Sequence, residues 1–238
     1  MKKIGLVGGI AWPSTVDYYS GLCRLAQADH VLPEMSIESL DHGRAVAYLG
    51  RDGDEASWGR FEAYHHEALR RLEKSGAEVA AIASNTSHIR FPEITAGIRI
   101  PVINIFDALA AECARLGEKE VLILGTAATM TSLRLPAVFA SRGIKAAGPE
   151  DAALRALTVQ LSQELQHGLD RAAASRLADI VRRHAMGRPP ALVCLACTEL
   201  PLALPGSGPH TLMESEGIRY LNSSTVHIHA IFDHATSG

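Results

Sequence analysis

The sequence predicts an α/β protein of two pseudo-symmetric lobes, each a mostly parallel sheet flanked by helices, with an active site in the cleft between them. Three observations carry this expectation. Short apolar runs rich in Val and Ile alternate with longer amphipathic segments. One layout of charge, apolar strand, glycine turn and Ser/Thr-bearing helix start occurs twice, as KKIGLVGGIAWPST (Lys2 to Thr15) and KEVLILGTAATMTS (Lys119 to Ser132). Each copy is followed by a strand ending in a small nucleophilic side chain, Ser84 in ASNTSH and Cys197 in ACTEL. From Gly8 to Ser84 is 76 positions, and from Gly125 to Cys197 it is 72. Residues 1–100 with 210–238 are expected to form the first lobe and 101–209 the second.

In chain order, strands are expected at Lys3–Val7, Met35–Ser39, Val79–Ala83, Val102–Asn104, Glu120–Leu124, Lys145–Ala147, Ala191–Leu195 and Arg219–Leu221. The helical pattern covers Ser14–Ala28, Ser57–Lys74, Phe106–Leu116, Thr131–Ser141, Ala152–Gln166 and Arg171–Ala185. The stretch Gly43–Asp54 reads as a loop or a short helix.

Composition narrows the function. The 238 residues are 47% hydrophobic and 21% charged, enough for sizeable cores in a soluble protein. A net charge of −3 and 5% aromatic residues give no case for nucleic acid or an anionic membrane. The N-terminal MKKIGLVGGIAWPST superficially resembles a secretion signal. Its apolar run is short, is broken by Gly8-Gly9 and ends at Trp12-Pro13, so we expect a buried first strand and a cytoplasmic protein. No stretch is long enough to span a bilayer. The cysteines Cys23, Cys113, Cys194 and Cys197 form no disulfide framework. Cys194 and Cys197 make a C-x-x-C without a second half, and residues three apart on a strand face opposite sides. Cys194 is therefore expected in the core and Cys197 at the strand end.

Ligands of such sheets bind beyond the carboxyl ends of the strands. Two lobes facing one another would place Ser84 and Cys197 across one cleft. That layout suits removal of a proton from one face of a carbon and its return to the other. A thiolate serves as base if backbone N–H groups or a helix N-terminus lower its pKa. The developing carbanion needs donors arranged in advance. The turns after Gly8, Ser84, Gly125 and Cys197 offer backbone N–H groups, and Asn85, Thr86, Thr126, Thr129 and Thr198 offer side chains. Ile10 and Trp12 lie in the first of these turns, and Arg44 is a candidate carboxylate partner.

Together, IGLVGGIAWPSTVDYY, SNTSH, LGTAATM, ACTEL and STVHIHA resemble the aspartate/glutamate racemase superfamily, especially its aspartate racemase branch. The matches run from residue 4 to about residue 230. The resemblance implies a cofactor-independent, two-base amino-acid racemase of two pseudo-symmetric lobes, usually a homodimer, needing neither pyridoxal phosphate nor metal. Cys197 matches the second family cysteine, and Ser84 stands where the first would be. By that analogy Cys197, as a thiolate near neutral pH, takes the proton of the L-enantiomer. Ser84, or a water it holds, then protonates the other face. His88, four residues on, is a candidate partner for the Ser84 hydroxyl, weighed against an ordinary polar residue at a helix start.

The sequence departs from the family in other places. Relatives acting on aspartate or glutamate bind the distal carboxylate with basic residues, including a lysine that has no counterpart in PEDAALRALTVQL, where Arg155 is the nearest cation. Ser224 replaces an acidic residue of many relatives. His227 and His229 are expected to be structural. The expected substrate is a small amino acid, aspartate or glutamate. The alternatives are a single-cysteine decarboxylase or isomerase of a small dicarboxylic acid, and a non-catalytic small-acid binding protein.

Overall fold

The computed structural model describes the chain except residues 29, 52, 168–171, 186–189, 206–209 and 238, and the side chains of 166 and 167. The described chain divides into two compact units, Met1–Asn104 with His227–Gly238, and Ile105–Val226.

The first unit begins with β1 (Ile4–Gly8), α1 (Trp12–Ala28), β2 (Met35–Ser39), α2 (His42–Ala47) and α3 (Gly59–Lys74). It continues with β3 (Val79–Ile82), a 3-10 turn at Thr86–Arg90, α4 (Phe91–Thr95) and β4 (Val102–Ile103). All strand pairs of its sheet are parallel, in the order β2-β1-β3-β4. β1 and β3 are buried along their whole length because apolar clusters cover both faces of the sheet. α1 lays Ser14, Tyr18, Leu22 and Ala26 against the sheet at four-residue spacing, one stripe of a helix. α3 does the same with Phe61, His65, Ala68, Leu69 and Leu72.

The second unit runs α5 (Ile105–Arg115), β5 (Glu120–Gly125), α6 (Ala127–Thr131), α7 (Arg134–Ala140) and β6 (Lys145–Ala147). After these come α8 (Ala152–His167), α9 (Ala173–His184), β7 (Val193–Ala196), β8 (Leu212–Ser215) and β9 (Ile218–Asn222). Helix α10 (Ser223–Thr236) begins in this unit, and its residues from His227 belong to the first. The sheet order is β6-β5-β7-β9-β8, with β8 alone antiparallel. The repeat seen in the sequence is thus a repeat of topology. In each sheet the glycine-turn strand is flanked by the next strand on one side and by the nucleophile-bearing strand on the other.

The expected strands are all present within a residue or two. Other features differ from the expectations. The helix expected at Thr131–Ser141 is α7, which starts only at Arg134, because Ser132 is extended and its hydroxyl accepts from the Arg134 N–H; the short α6 before it was not expected. Strand β8, α10, α4 and the 3-10 turn at Thr86–Arg90 are not among the expected elements. β8 and β9 form a hairpin through Glu216 and Gly217, both at positive φ (52° and 73°), a two-residue turn written without the usual Asn-Gly. This hairpin also corrects the lobe boundary. β9 pairs with β7, so residues 210–226 belong with the second unit rather than the first. The start of the expected helix Arg171–Ala185 lies outside the described residues, and α9 takes up the remainder. The Gly43–Asp54 stretch contributes most of α2, capped by Asp41, whose carboxylate accepts from the Arg44 N–H at 2.7 Å.

Candidate active site

Every residue expected at the site lies at or just beyond the carboxyl end of a strand, gathered into two sets, one in each unit. In the first unit, β1 ends in the Gly8-Gly9 turn. Gly9 has φ +82°, and a Cβ there would stand 2.2 Å from the Leu40 carbonyl, so only glycine fits. Its N–H donates to Thr15 Oγ1 at 2.8 Å, fastening the turn to α1. Ile10 packs its side chain on the unit's core, and its carbonyl accepts from His42 Nδ1. Trp12 opens α1 and is 71% exposed. Arg44, on α2, is exposed and meets no described carboxylate within ion-pair distance.

Ser84 follows β3. It is buried, and Ser14 Oγ holds the preceding carbonyl, of Ala83, at 3.0 Å. Among the described residues none hydrogen-bonds the Ser84 hydroxyl. His88 bonds the Ser84 main chain instead: its Nδ1 lies 2.7 Å from the carbonyl. A carbonyl only accepts, so Nδ1 carries the proton and His88 is not the base on the hydroxyl that the sequence offered. Asn85 is buried at the head of the 3-10 turn, and Thr86 is partly exposed.

In the second unit a Cβ on Gly125 would stand 2.5 Å from the Ala196 carbonyl, so glycine lets β5 and β7 close at their ends. Thr126 caps α6: its Oγ1 accepts from the Thr129 N–H at 3.2 Å and lies 2.9 Å from Thr129 Oγ1. Ser223 Oγ donates to the Leu195 carbonyl at 2.7 Å, docking the start of α10 beside the end of β7. Asn222 Oδ1 caps that helix by accepting from the N–H groups of Ser224 and Thr225. Arg155 spends its guanidinium on the carbonyls of Pro149 and Glu150, both at 2.7 Å, and so takes no part in this set.

Cys197 stands at the end of β7 and is 3% exposed, while Cys194 lies in the core with its sulfur 3.6 Å from that of Cys113. The residue that the sequence reading passed over is Glu199. The Cys197 thiol donates to Glu199 Oε2 at 2.9 Å, and Thr198 Oγ1 donates to Oε1 at 2.9 Å. Glu199 is 5% exposed. The signal was present in ACTEL, where a buried acid beside a thiol needs a partner. The expectation of a resting thiolate is corrected by this geometry. Burial pushes the thiol well above its ordinary range, and the Glu199 carboxylate pushes it further. Backbone N–H groups of Glu199 and Leu200 act in the opposite sense without prevailing. Cys197 rests as a thiol hydrogen-bonded to a proton acceptor. Among the described residues, no group of three or more His, Cys, Asp or Glu is placed to hold a metal ion, and no helix is long and apolar enough to cross a membrane.

An α/β protein built of repeated sheets, each presenting a polar loop after its third strand, is the class that this fold and these two residue sets define. The chain belongs to the Asp/Glu/hydantoin racemase family, whose model matches residues 7–231. It is similar to the structure of an aspartate racemase homologue from Pyrococcus horikoshii OT3, at 26% identity over 100% of both chains and a TM-score of 0.80. The aspartate racemase of Picrophilus torridus shares the fold at 21% identity, over 98% of this chain and 94% of that one, with a TM-score of 0.75. So does the glutamate racemase of Thermus thermophilus, at 19% identity over 98% and 80% of the chains, with a TM-score of 0.60.

Proposed function

We propose that the protein is a cofactor-independent amino-acid racemase acting on aspartate or glutamate, with Cys197 and Ser84 serving opposite faces of the α-carbon. The observation that carries this reading is the Cys197–Glu199 pair in a chain of the racemase family. A thiol of raised pKa gives a thiolate of raised basicity, which suits a weakly acidic α-hydrogen. Glu199 accepts the thiol proton as substrate binds, and the thiolate takes the α-proton of the L-enantiomer. Thr198 holds the second carboxylate oxygen and so keeps Oε2 directed at the sulfur. On the other face, Ser84 or a water it holds delivers a proton to the carbanion; solvent returns a proton there, and Glu199 releases the one it took, which restores the enzyme. Asn85, Thr86, Thr126 and Thr129 serve the α-carboxylate and amino group, and Arg44 the distal carboxylate. Ile10 and Trp12 border the substrate through the first glycine turn. The same reading makes the protein a cytoplasmic homodimer that needs no pyridoxal phosphate or metal.

The test is chiral chromatography of L-aspartate and L-glutamate incubated with the purified protein. Appearance of the D-enantiomer, lost in Cys197→Ser, is the expected result. Release of carbon dioxide from a malonate-like acid without racemisation would replace this reading with the decarboxylase alternative.

A further inference from the structure

Beneath the loop that carries Ser84 lies a group of buried histidines to which the racemase reading gives no role. His65 on α3, His88 in the 3-10 turn and His227 on α10 are exposed by 0%, 1% and 0%. Their partners fix their tautomers, because a nitrogen facing a carbonyl must carry the proton. His65 Nδ1–H donates to the Phe61 carbonyl at 2.8 Å, which leaves Nε2 to accept from Ser87 Oγ–H at 3.0 Å. His227 Nε2–H donates to the Ile103 carbonyl at 2.9 Å, which leaves Nδ1 to accept from the Tyr18 hydroxyl at 2.9 Å. His88 Nδ1–H donates to the Ser84 carbonyl at 2.7 Å. The His88 ring is stacked on Phe91 at 5.3 Å between centroids and meets the His227 ring edge-on at 5.5 Å. Packing from α4 and α10 thus fixes the ring that holds the loop.

Two of these bonds act on one short segment, Ser84 at its carbonyl and Ser87 at its hydroxyl. The peptide after Ser84 is planar, so fixing its C=O toward His88 turns the Asn85 N–H to the opposite side. The same constraint restricts rotation about the Ser84 Cα–C bond and with it the placement of Cβ, from which the hydroxyl projects, relative to that N–H. The loop reaches its working orientation before any ligand arrives, which is what a proton donor and a carbanion-stabilising N–H require.

We propose that His88 is a positioning residue for the Ser84 side of the reaction, holding the Ser84–Asn85 peptide through its Nδ1–H, with His65 bracing the same loop through Ser87. The chemistry of this proposal rests on the racemase reading, and its geometry does not. Three variants separate the parts. His88→Phe keeps the stack on Phe91 and removes the donor. His88→Asn restores an N–H near the place of Nδ1. Ser87→Ala removes the His65 bond at the cost of one hydroxyl.

The readouts are α-deuterium incorporation from each enantiomer of aspartate and glutamate, and hydrogen exchange of the amides of residues 85–87. In His88→Phe, incorporation from the D-enantiomer should fall about tenfold or more in kcat with little change in KM, since small misplacements of reacting groups are costly. Incorporation from the L-enantiomer should fall less. The amides of residues 85–87 should exchange faster. His88→Asn should recover both readouts, and Ser87→Ala should move both in the same direction by less. Wild-type amide exchange and D-side incorporation in His88→Phe would overturn the proposal, as would a His88→Asn variant no better than His88→Phe. If His88→Phe does not fold, His88→Asn and Ser87→Ala decide it in the same way. Absence of α-deuterium incorporation in the wild type would sink the racemase reading alone, and amide exchange would still decide the brace.

Discussion

The Cys197 thiol donates a 2.9 Å hydrogen bond to the buried carboxylate of Glu199, two residues along the same loop. The acid therefore both raises the pKa of the thiol and offers its proton a destination. Glu199→Gln removes the acceptor while keeping the shape. We expect the L-side rate to fall about 10²-fold, the usual worth of one general acid–base group. The thiol pKa should fall at the same time, because the neighbouring charge has gone. A rate near wild type would remove Glu199 from the proposed chemistry.

The pH profile follows with its sign. A thiol held above its ordinary range is protonated at neutral pH and yields more thiolate as pH rises. Exchange from the L-enantiomer should therefore climb from neutral into alkaline pH rather than level off near pH 7. A profile already flat at pH 7 would mean that substrate binding has lowered the thiol pKa.

Three buried histidines make the first unit sensitive to acid. Burial lowers His65 and His88 to about 4 and His227 to about 3, against an ordinary value of 6.5. Between those values the unfolded chain binds more protons than the folded one, so stability rises with pH there. The contribution is complete above about pH 6.5 and is lost as pH falls toward 4, at up to ~1.4 kcal/mol per pH unit for each histidine. Urea unfolding at a series of pH values between 8 and 4.5 should show the midpoint dropping steeply below pH 6.5. His65→Leu should flatten that slope.

Arg90 anchors the far end of the same turn. Its guanidinium, 7% exposed, meets Glu55, Glu62 and Glu93. Arg90→Met leaves three partly solvated carboxylates together, and we expect it to cost about 2–3 kcal/mol, less than breaking a fully buried pair. Arg90→Lys should recover part of this. Denaturant unfolding of both variants measures it.

Thiol labelling of the native protein should be graded. Cys23 is half-buried and should react first with a maleimide. Cys113 and Cys194, wholly buried and in mutual contact, should react only on unfolding. Early labelling of Cys194 would contradict the packing of β7.

Much of this architecture was legible in the sequence, because a buried parallel strand must be a continuous apolar run and glycine must stand where strand ends close on one another. Gly8-Gly9 and Gly125 declared both turns, and Ser84 and Cys197 both strand ends. The misses share a cause. Glu199, the His65–Ser87 bond and the His88 bond to the Ser84 carbonyl are contacts of polar side chains, and periodicity says nothing about which partner a polar group finds. The β8–β9 hairpin escaped because Glu216-Gly217 does not resemble a favoured turn pair. The start of α7 was read three residues early because Ser132 delays the helix through its own hydroxyl, and α6 escaped because a five-residue helix has too few turns to show a period.

The unequal pair of Ser84 and Cys197 is tested most directly by α-deuterium incorporation in heavy water, measured separately from pure L- and D-aspartate and L- and D-glutamate. The wild type should incorporate faster from the L-enantiomer, Cys197→Ser should lose that exchange while remaining folded, and Ser84→Cys should raise exchange from the D-enantiomer. Equal incorporation from both enantiomers in the wild type, or substantial L-side exchange in Cys197→Ser, would contradict the account.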